Sequence, residues 1–131
     1  MTQPQTRMTR QRMVILEELR KVKTHPTADE LYAMVRLKMP RISLGTVYRN
    51  LDFLADSREI LKLESAGSIR RFDGDVRPHQ HVRCLVCGKV GDVMPPLPVP
   101  KVDGIEVEGF TISAARVEYE GICDNCAHLA S

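Results

Sequence analysis

No apolar run in the sequence approaches the roughly 18 to 20 residues that cross a bilayer, which excludes a transmembrane helix. The first eight residues, MTQPQTRM, lack the apolar stretch and cleavage site of a secretory signal. The chain is therefore expected to begin there and to remain in the cytoplasm. At 131 residues it lacks the length of a large enzyme and suits one or two small domains, which need fastening beyond a small apolar core. It also lacks the pairing of H-x-E with P-C-x-x-C through which a nucleobase deaminase holds its glutamate acid/base. Here His79 and His81 are followed by Gln80 and Val82, and Cys84 follows Arg83. No enzyme is expected.

Charge is unevenly placed along the chain. Residues 1–72 hold 14 Lys and Arg against 8 Asp and Glu, a net of +6, whereas residues 73–131 hold 5 against 9, a net of −4. A basic half suits a nucleic-acid reader, and an acidic half suits a binder of cations or of a partner subunit.

The first half reads as helices. Thr9 can cap a helix that turns Met13, Leu16 and Leu19 inward, with His25-Pro26 ending the connection behind it. Thr27 and Glu30 have the S/T-x-x-E spacing that satisfies two free backbone donors, which predicts a second helix over about 28–38 burying Leu31, Met34 and Val35. Ser43 caps a third, in which Leu44, Val47, Leu51 and Leu54 make one apolar stripe opposite Thr46, Arg49 and Phe53. Tyr48 lies at the margin of that stripe, where core packing is the default reading. Then the period changes to two: Ile60 to Glu64 alternate, Ala66-Gly67 can turn, and Ile69 to Phe72 can return. Three helices and a two-stranded hairpin make a winged helix, whose third helix enters the DNA major groove. Arg49 suits a phosphate or guanine contact, or else stays solvated.

The turn-rich segment DGDVRP, residues 73–78, marks a hinge between domains 1–72 and 79–131. Beyond it, residues 82–93 predict short strands around a CxxCG turn, and 105–119 alternate strongly enough for one or two strands with a bulge near Ala115. Four prolines within 94–100 exclude a helix interior. The expected class is α+β: an N-terminal winged-helix DNA-binding domain followed by a small α/β domain.

Two constellations carry chemistry. Cys84-x-x-Cys87 and Cys123-x-x-Cys126 can give four thiolates in a tetrahedron, the arrangement of closed structural zinc sites. A redox CxxC would open a helix in a βαβ unit, and no such unit is predicted. His79 and His81 sit two apart, so on an extended strand they point the same way and can share one ion. Asp73 and Asp92 can add oxygen, a donor mix that suits Fe(II), Mn(II) or Zn(II).

Several ordered motifs carry a resemblance to the ferric uptake regulator family over nearly the whole length: Thr9-x-x-Arg12, HPTADELY from His25, ISLGTVYRNL from Ile42, PHQHVRCLVCGKVGDV from Pro78 and GICDNC from Gly121. The resemblance implies a metal-dependent homodimeric repressor that binds AT-rich palindromic operators in double-stranded DNA, with no membrane partner. It implies that Cys84, Cys87, Cys123 and Cys126 hold structural zinc, and that His25, Asp73, His79, His81 and Asp92 form a regulatory iron or manganese site. It also moves Tyr48 from the core to a base contact beside Ser43, Thr46 and Arg49, and places Arg7 in the minor groove. Aspartate at positions 73 and 92 is similar to the peroxide-sensing branch, whose oxidised residues correspond to His25 and His79. An iron, zinc or manganese uptake repressor is the alternative within the family, and a zinc-ribbon interaction module without DNA binding is the alternative outside it. Arg58 departs from a glycine often found before the wing, and the proline-rich 94–100 segment replaces much of a helix common in the second domain.

Overall fold

The computed structural model describes residues 8–64 and 69–129; Arg7 and the Ala66-Gly67 turn lie outside the described residues. The chain divides into two compact units, Met1–Arg77 and Pro78–Ser131.

The first unit holds α1 (Arg10–Arg20), α2 (Ala28–Val35), α3 (Leu44–Asp56), β1 (Leu61–Leu63) and β2 (Arg71–Asp73). Each helix starts where a hydroxyl can take up a free amide. Thr9 accepts from Arg12 N, Ser43 accepts from Thr46 N, and Thr27 with Glu30 completes a reciprocal capping box. Ile15, Leu19, Leu31, Val35, Val47, Leu51 and Leu54 are fully buried in one core that Ile60 and Phe72 close from the hairpin side. Met13 departs from expectation: it is 47% exposed, and Ile15 takes the inward place. Two positions apart, the residues point about 200° from each other round a helix, so only one can face the core. Tyr48 is likewise outside the core, 41% exposed. The second helix ends at Val35 and continues only as a turn, in which Lys38 and Met39 donate backbone N–H bonds to Val35 O.

The end of α3 explains the departure at Arg58. Glu59 N bonds Leu54 O at 2.9 Å and Arg58 N bonds Ala55 O at 3.0 Å, the paired closure of a Schellman cap. That closure puts Arg58 at φ 63°, a left-handed conformation that costs glycine least. The chain then enters an antiparallel hairpin with Leu61 opposite Asp73 and Leu63 opposite Arg71.

The second unit is a three-stranded sheet and one short helix: β3 (Gln80–Cys84), β4 (Val90–Val93), β5 (Tyr119–Gly121) and α4 (Asp124–Leu129). Strand β3 is central, antiparallel to β4 and parallel to β5. The strands expected over 105–119 reduce to Tyr119 and one isolated bridge between Val107 and Phe110, and no bulge forms at Ala115. Ile105, Val107 and Phe110 are at least 47% exposed. Alternation becomes a strand only where a neighbour supplies ladder partners and a face to bury, and this segment has neither among the described residues. The proline-rich stretch bends at Met94-Pro95 and forms no helix, as its prolines require. No helix among the described residues is long and apolar enough to cross a membrane.

Candidate metal centres and nucleic-acid face

The four cysteines converge from both ends of the second unit. Cys84 ends β3, and a tight turn carries Cys87 back beside it, with Gly88 at φ 79° donating its N–H to Cys84 O at 3.0 Å. Parallel pairing of β5 with β3 delivers Cys123 just past the strand and Cys126 on α4. All four Sγ atoms lie within 4.8 Å of one another. Cys87 and Cys123 are 3.7 Å apart, close to the edge of about 3.8 Å of a tetrahedron with bonds of about 2.3 Å. Their protons are distributed unevenly. The Cys123 N–H, 3.3 Å from Cys84 Sγ, leads the backbone donors that hold the Cys84 thiol down to about 5, whereas hydrogen bonding with Cys123 and burial push Cys126 up to about 12. Four thiols this close cannot all ionise without a cation among them. The donor set fits zinc.

The predicted regulatory donors form one group in each unit. In the first, the loop between α1 and α2 holds His25 at φ 54° with its side chain 1% exposed, and Nε2 lies 3.3 Å from Asp73 Oδ2. Several contacts hold that geometry. Arg71 Nη1 donates to His25 O at 3.1 Å and to Glu30 Oε1 at 3.2 Å, Phe72 N donates to Pro26 O at 2.9 Å, and Asp75 N donates to Asp73 Oδ1 at 2.9 Å. Gly74 lies so close to α1 that a Cβ there would stand 3.1 Å from Arg20 Cα.

In the second unit, His79 and His81 flank the start of β3 with ring centroids 4.5 Å apart, as the two-residue period requires. Asp92 is paired with His81 across β3 and β4. Its Oδ1 lies 3.1 Å from His79 Nε2 and 3.5 Å from His81 Nε2. Two imidazole nitrogens thus converge on one carboxylate oxygen, a mixed nitrogen and oxygen set that fits Fe(II) or Mn(II).

At the start of α3, the Ser43 and Thr46 hydroxyls are 2.8 Å apart, and Arg49 Nη2 donates to Thr46 Oγ1 at 3.2 Å. Tyr48 and Arg49 are exposed beside them. Sequence reasoning missed the brace behind this face: Arg12 Nε donates to Asn50 Oδ1 at 3.0 Å, its guanidinium lies 3.7 Å over the Phe53 ring, and Asn50 Nδ2 donates to Thr46 O at 2.8 Å. Asn50, buried on a helix otherwise read by its leucines, was the available signal. Sequence reasoning also missed Arg71 and Gln80. Neither lies in a spacing pattern that reveals its partner.

The family model described as the ferric uptake regulator family matches residues 3–120. The peroxide-responsive repressor PerR of Staphylococcus saprophyticus is 37% identical over 125 residues, covering 92% of this chain and 82% of that protein. The peroxide operon regulator of Bacillus subtilis is 36% identical over 126 residues, covering 92% and 84%. Among solved structures, the peroxide stress regulator of Campylobacter jejuni is 35% identical with a TM-score of 0.57, over 63% of this chain and 61% of that one. The ferric uptake regulator of Francisella tularensis, solved with iron, has a TM-score of 0.70 at 18% identity and covers 97% and 98%, a likeness of fold alone.

Proposed function

This chain belongs to the ferric uptake regulator family, and from that premise we propose that it is a peroxide-responsive, metal-dependent repressor acting in the cytoplasm. It binds operator DNA of AT-rich palindromic sequence as a homodimer, with Ser43, Thr46, Tyr48 and Arg49 at the major groove and Arg7 in the minor groove. Cys84, Cys87, Cys123 and Cys126 hold zinc, which contributes folding energy to the second unit. The regulatory ion, Fe(II) or Mn(II), takes His25 and Asp73 from the first unit and His79, His81 and Asp92 from the second.

The observation that carries the peroxide reading is the pairing of imidazoles with aspartates: the buried His25 ring with Asp73, and the buried His79 ring and the half-buried His81 ring with Asp92. Fe(II) held by these residues would pass one electron to peroxide, and the oxidant so formed would attack the nearest oxidisable groups, these rings. Overall the ring would lose two electrons and gain one oxygen atom, and the other peroxide oxygen would leave as water. His25 and His79 each have an Nε2 within 3.3 Å of a carboxylate and a side chain no more than 2% exposed, which favours attack on the ring over escape to solvent. An oxidised ring is a poorer ligand. Because ligands from both units share one ion, its loss uncouples them and weakens DNA binding, and by reciprocity DNA tightens metal binding by the same factor, about 5- to 150-fold for a coupling of roughly 1 to 3 kcal/mol.

The test is binding to an AT-rich inverted repeat at fixed salt, with Mn(II) or Fe(II), before and after a dilute peroxide pulse. Both metals are expected to promote binding, and only the Fe(II) form is expected to lose it, with one oxygen atom added to His25 or His79 by mass spectrometry. Survival of Fe(II)-promoted binding after peroxide would instead make the chain a metal-uptake repressor.

A further inference from the structure

Gln80 stands between two of the candidate ligands, and its own side chain is committed elsewhere. Strand alternation sends it to the face opposite His79 and His81, where it is 7% exposed. There the amide reads the backbone of the proline-rich segment as a neighbouring strand would. Gln80 Nε2 donates to Leu97 O at 2.8 Å, and Gln80 Oε1 accepts from Leu97 N at 3.0 Å and from the Tyr119 hydroxyl at 3.0 Å. One side chain therefore pins the start of β3, the middle of the 94–100 segment and the start of β5.

The segment so pinned begins two residues after Asp92, the carboxylate on which both imidazoles converge. It leaves β4 at Val93, which is paired with Gln80 itself, and returns at Leu97 to the Gln80 side chain. The histidine-bearing strand and the aspartate-bearing strand are thus joined twice, once by the ladder and once through this loop. Pro95 and Pro96 stiffen the loop between those two ends, so a shift at one end is transmitted along it. A flexible segment in the same place would separate the two ends.

We propose that Gln80 is a positioning residue for the His79, His81 and Asp92 donors, and that through it metal occupancy is coupled to the conformation of the proline-rich segment. This rests on the regulatory-metal reading above. Gln80 touches no ion: it sets the angle at which β3 presents its two rings to Asp92 and ties that angle to Leu97. Coupling of this kind is reciprocal, so an ion on the donors tightens the loop and a loosened loop weakens the donors.

The experiment uses the full-length, zinc-loaded protein and follows Mn(II) affinity together with trypsin cleavage after Lys101, which lies just beyond the segment. In the unsubstituted protein, saturating Mn(II) is expected to slow cleavage at Lys101. Gln80→Met, which keeps the volume but no hydrogen bond, is expected to weaken Mn(II) binding about 10- to 100-fold, the usual range when a ligand's supporting partner is removed. Saturating Mn(II) should no longer protect Lys101 in that variant. Gln80→Glu keeps the acceptor for Leu97 N–H and the Tyr119 hydroxyl and is expected to recover part of both effects. Tyr119→Phe removes a single bond and serves where Gln80→Met fails to retain zinc; it should weaken Mn(II) binding by a smaller factor in the same direction. Unchanged Mn(II) affinity in Gln80→Met and Tyr119→Phe, or equal Lys101 cleavage with and without Mn(II) in the unsubstituted protein, overturns the inference. Failure of the unsubstituted protein to bind Mn(II) at all overturns the regulatory-metal reading instead.

Discussion

The two units solve the problem of small size by different means. The first buries twelve apolar residues in one continuous cluster and caps each helix with its own hydroxyl, so its stability comes from packing. In the second, the buried apolar side chains among the described residues are Cys84, Val90 and Cys126, and two of these three are thiols of the metal cluster. Three short strands and a six-residue helix cannot offset chain entropy with so little burial. The first unit is a hydrophobic fold with polar fittings. The second is a cysteine cluster with a sheet attached, and it is there that three of the five proposed regulatory donors reside.

Zinc removal tests that contrast with the largest expected effect. Chelation, or Cys126→Ser, should abolish amide protection across β3 and β4 while α3 stays protected, because structural zinc in small domains supplies about 10 to 16 kcal/mol of apparent binding energy. Hydrogen exchange read by mass spectrometry separates the units directly, and a protected β3 without zinc would refute the division. A smaller effect of the opposite kind is expected from Leu51→Ala, at the centre of the first core. A cavity there should cost about 2 to 5 kcal/mol in denaturant unfolding of the first unit and leave the zinc content unchanged. Loss of zinc from that variant would show that the units do not stand separately.

The smallest effect is that of pH on the first unit. Glu18 is held below the usual glutamate range chiefly by its hydrogen bond from Lys38, and Glu30 chiefly by the Thr27 backbone N–H. A depressed folded-state pKa contributes stability that is present above the unfolded value, here about 4.5, and is lost as pH falls through the lowered one. Acid should therefore weaken the first unit below that value. Glu18→Gln should flatten this dependence in circular dichroism of the helices, and an unchanged acid profile would remove Glu18 from the account.

Much of this was legible in the sequence because it is local. Thr27 and Glu30 are three residues apart, and so are Cys84 and Cys87, so their geometry follows from one turn of chain. Ser43, Val47, Leu51 and Leu54 follow from a single helical period. The failures share another cause. Met13 and Ile15 are equally apolar, and only the position of α2 and α3 decides which of them is buried. Residues 105–119 alternate as a strand does, but alternation does not create a neighbour.

By itself, the sequence determined the helix starts, the two cysteine pairs and the side-by-side placing of His79 and His81, because turn chemistry and strand period are properties of residues and their immediate spacing. The tertiary structure alone decided that Arg71 braces His25 across 46 residues, that Arg12 lies on Phe53, and that Gln80 latches Leu97. Each of these is a hydrogen bond or ring contact between segments distant in sequence. No local period records which of many possible partners folding will bring within about 3 Å.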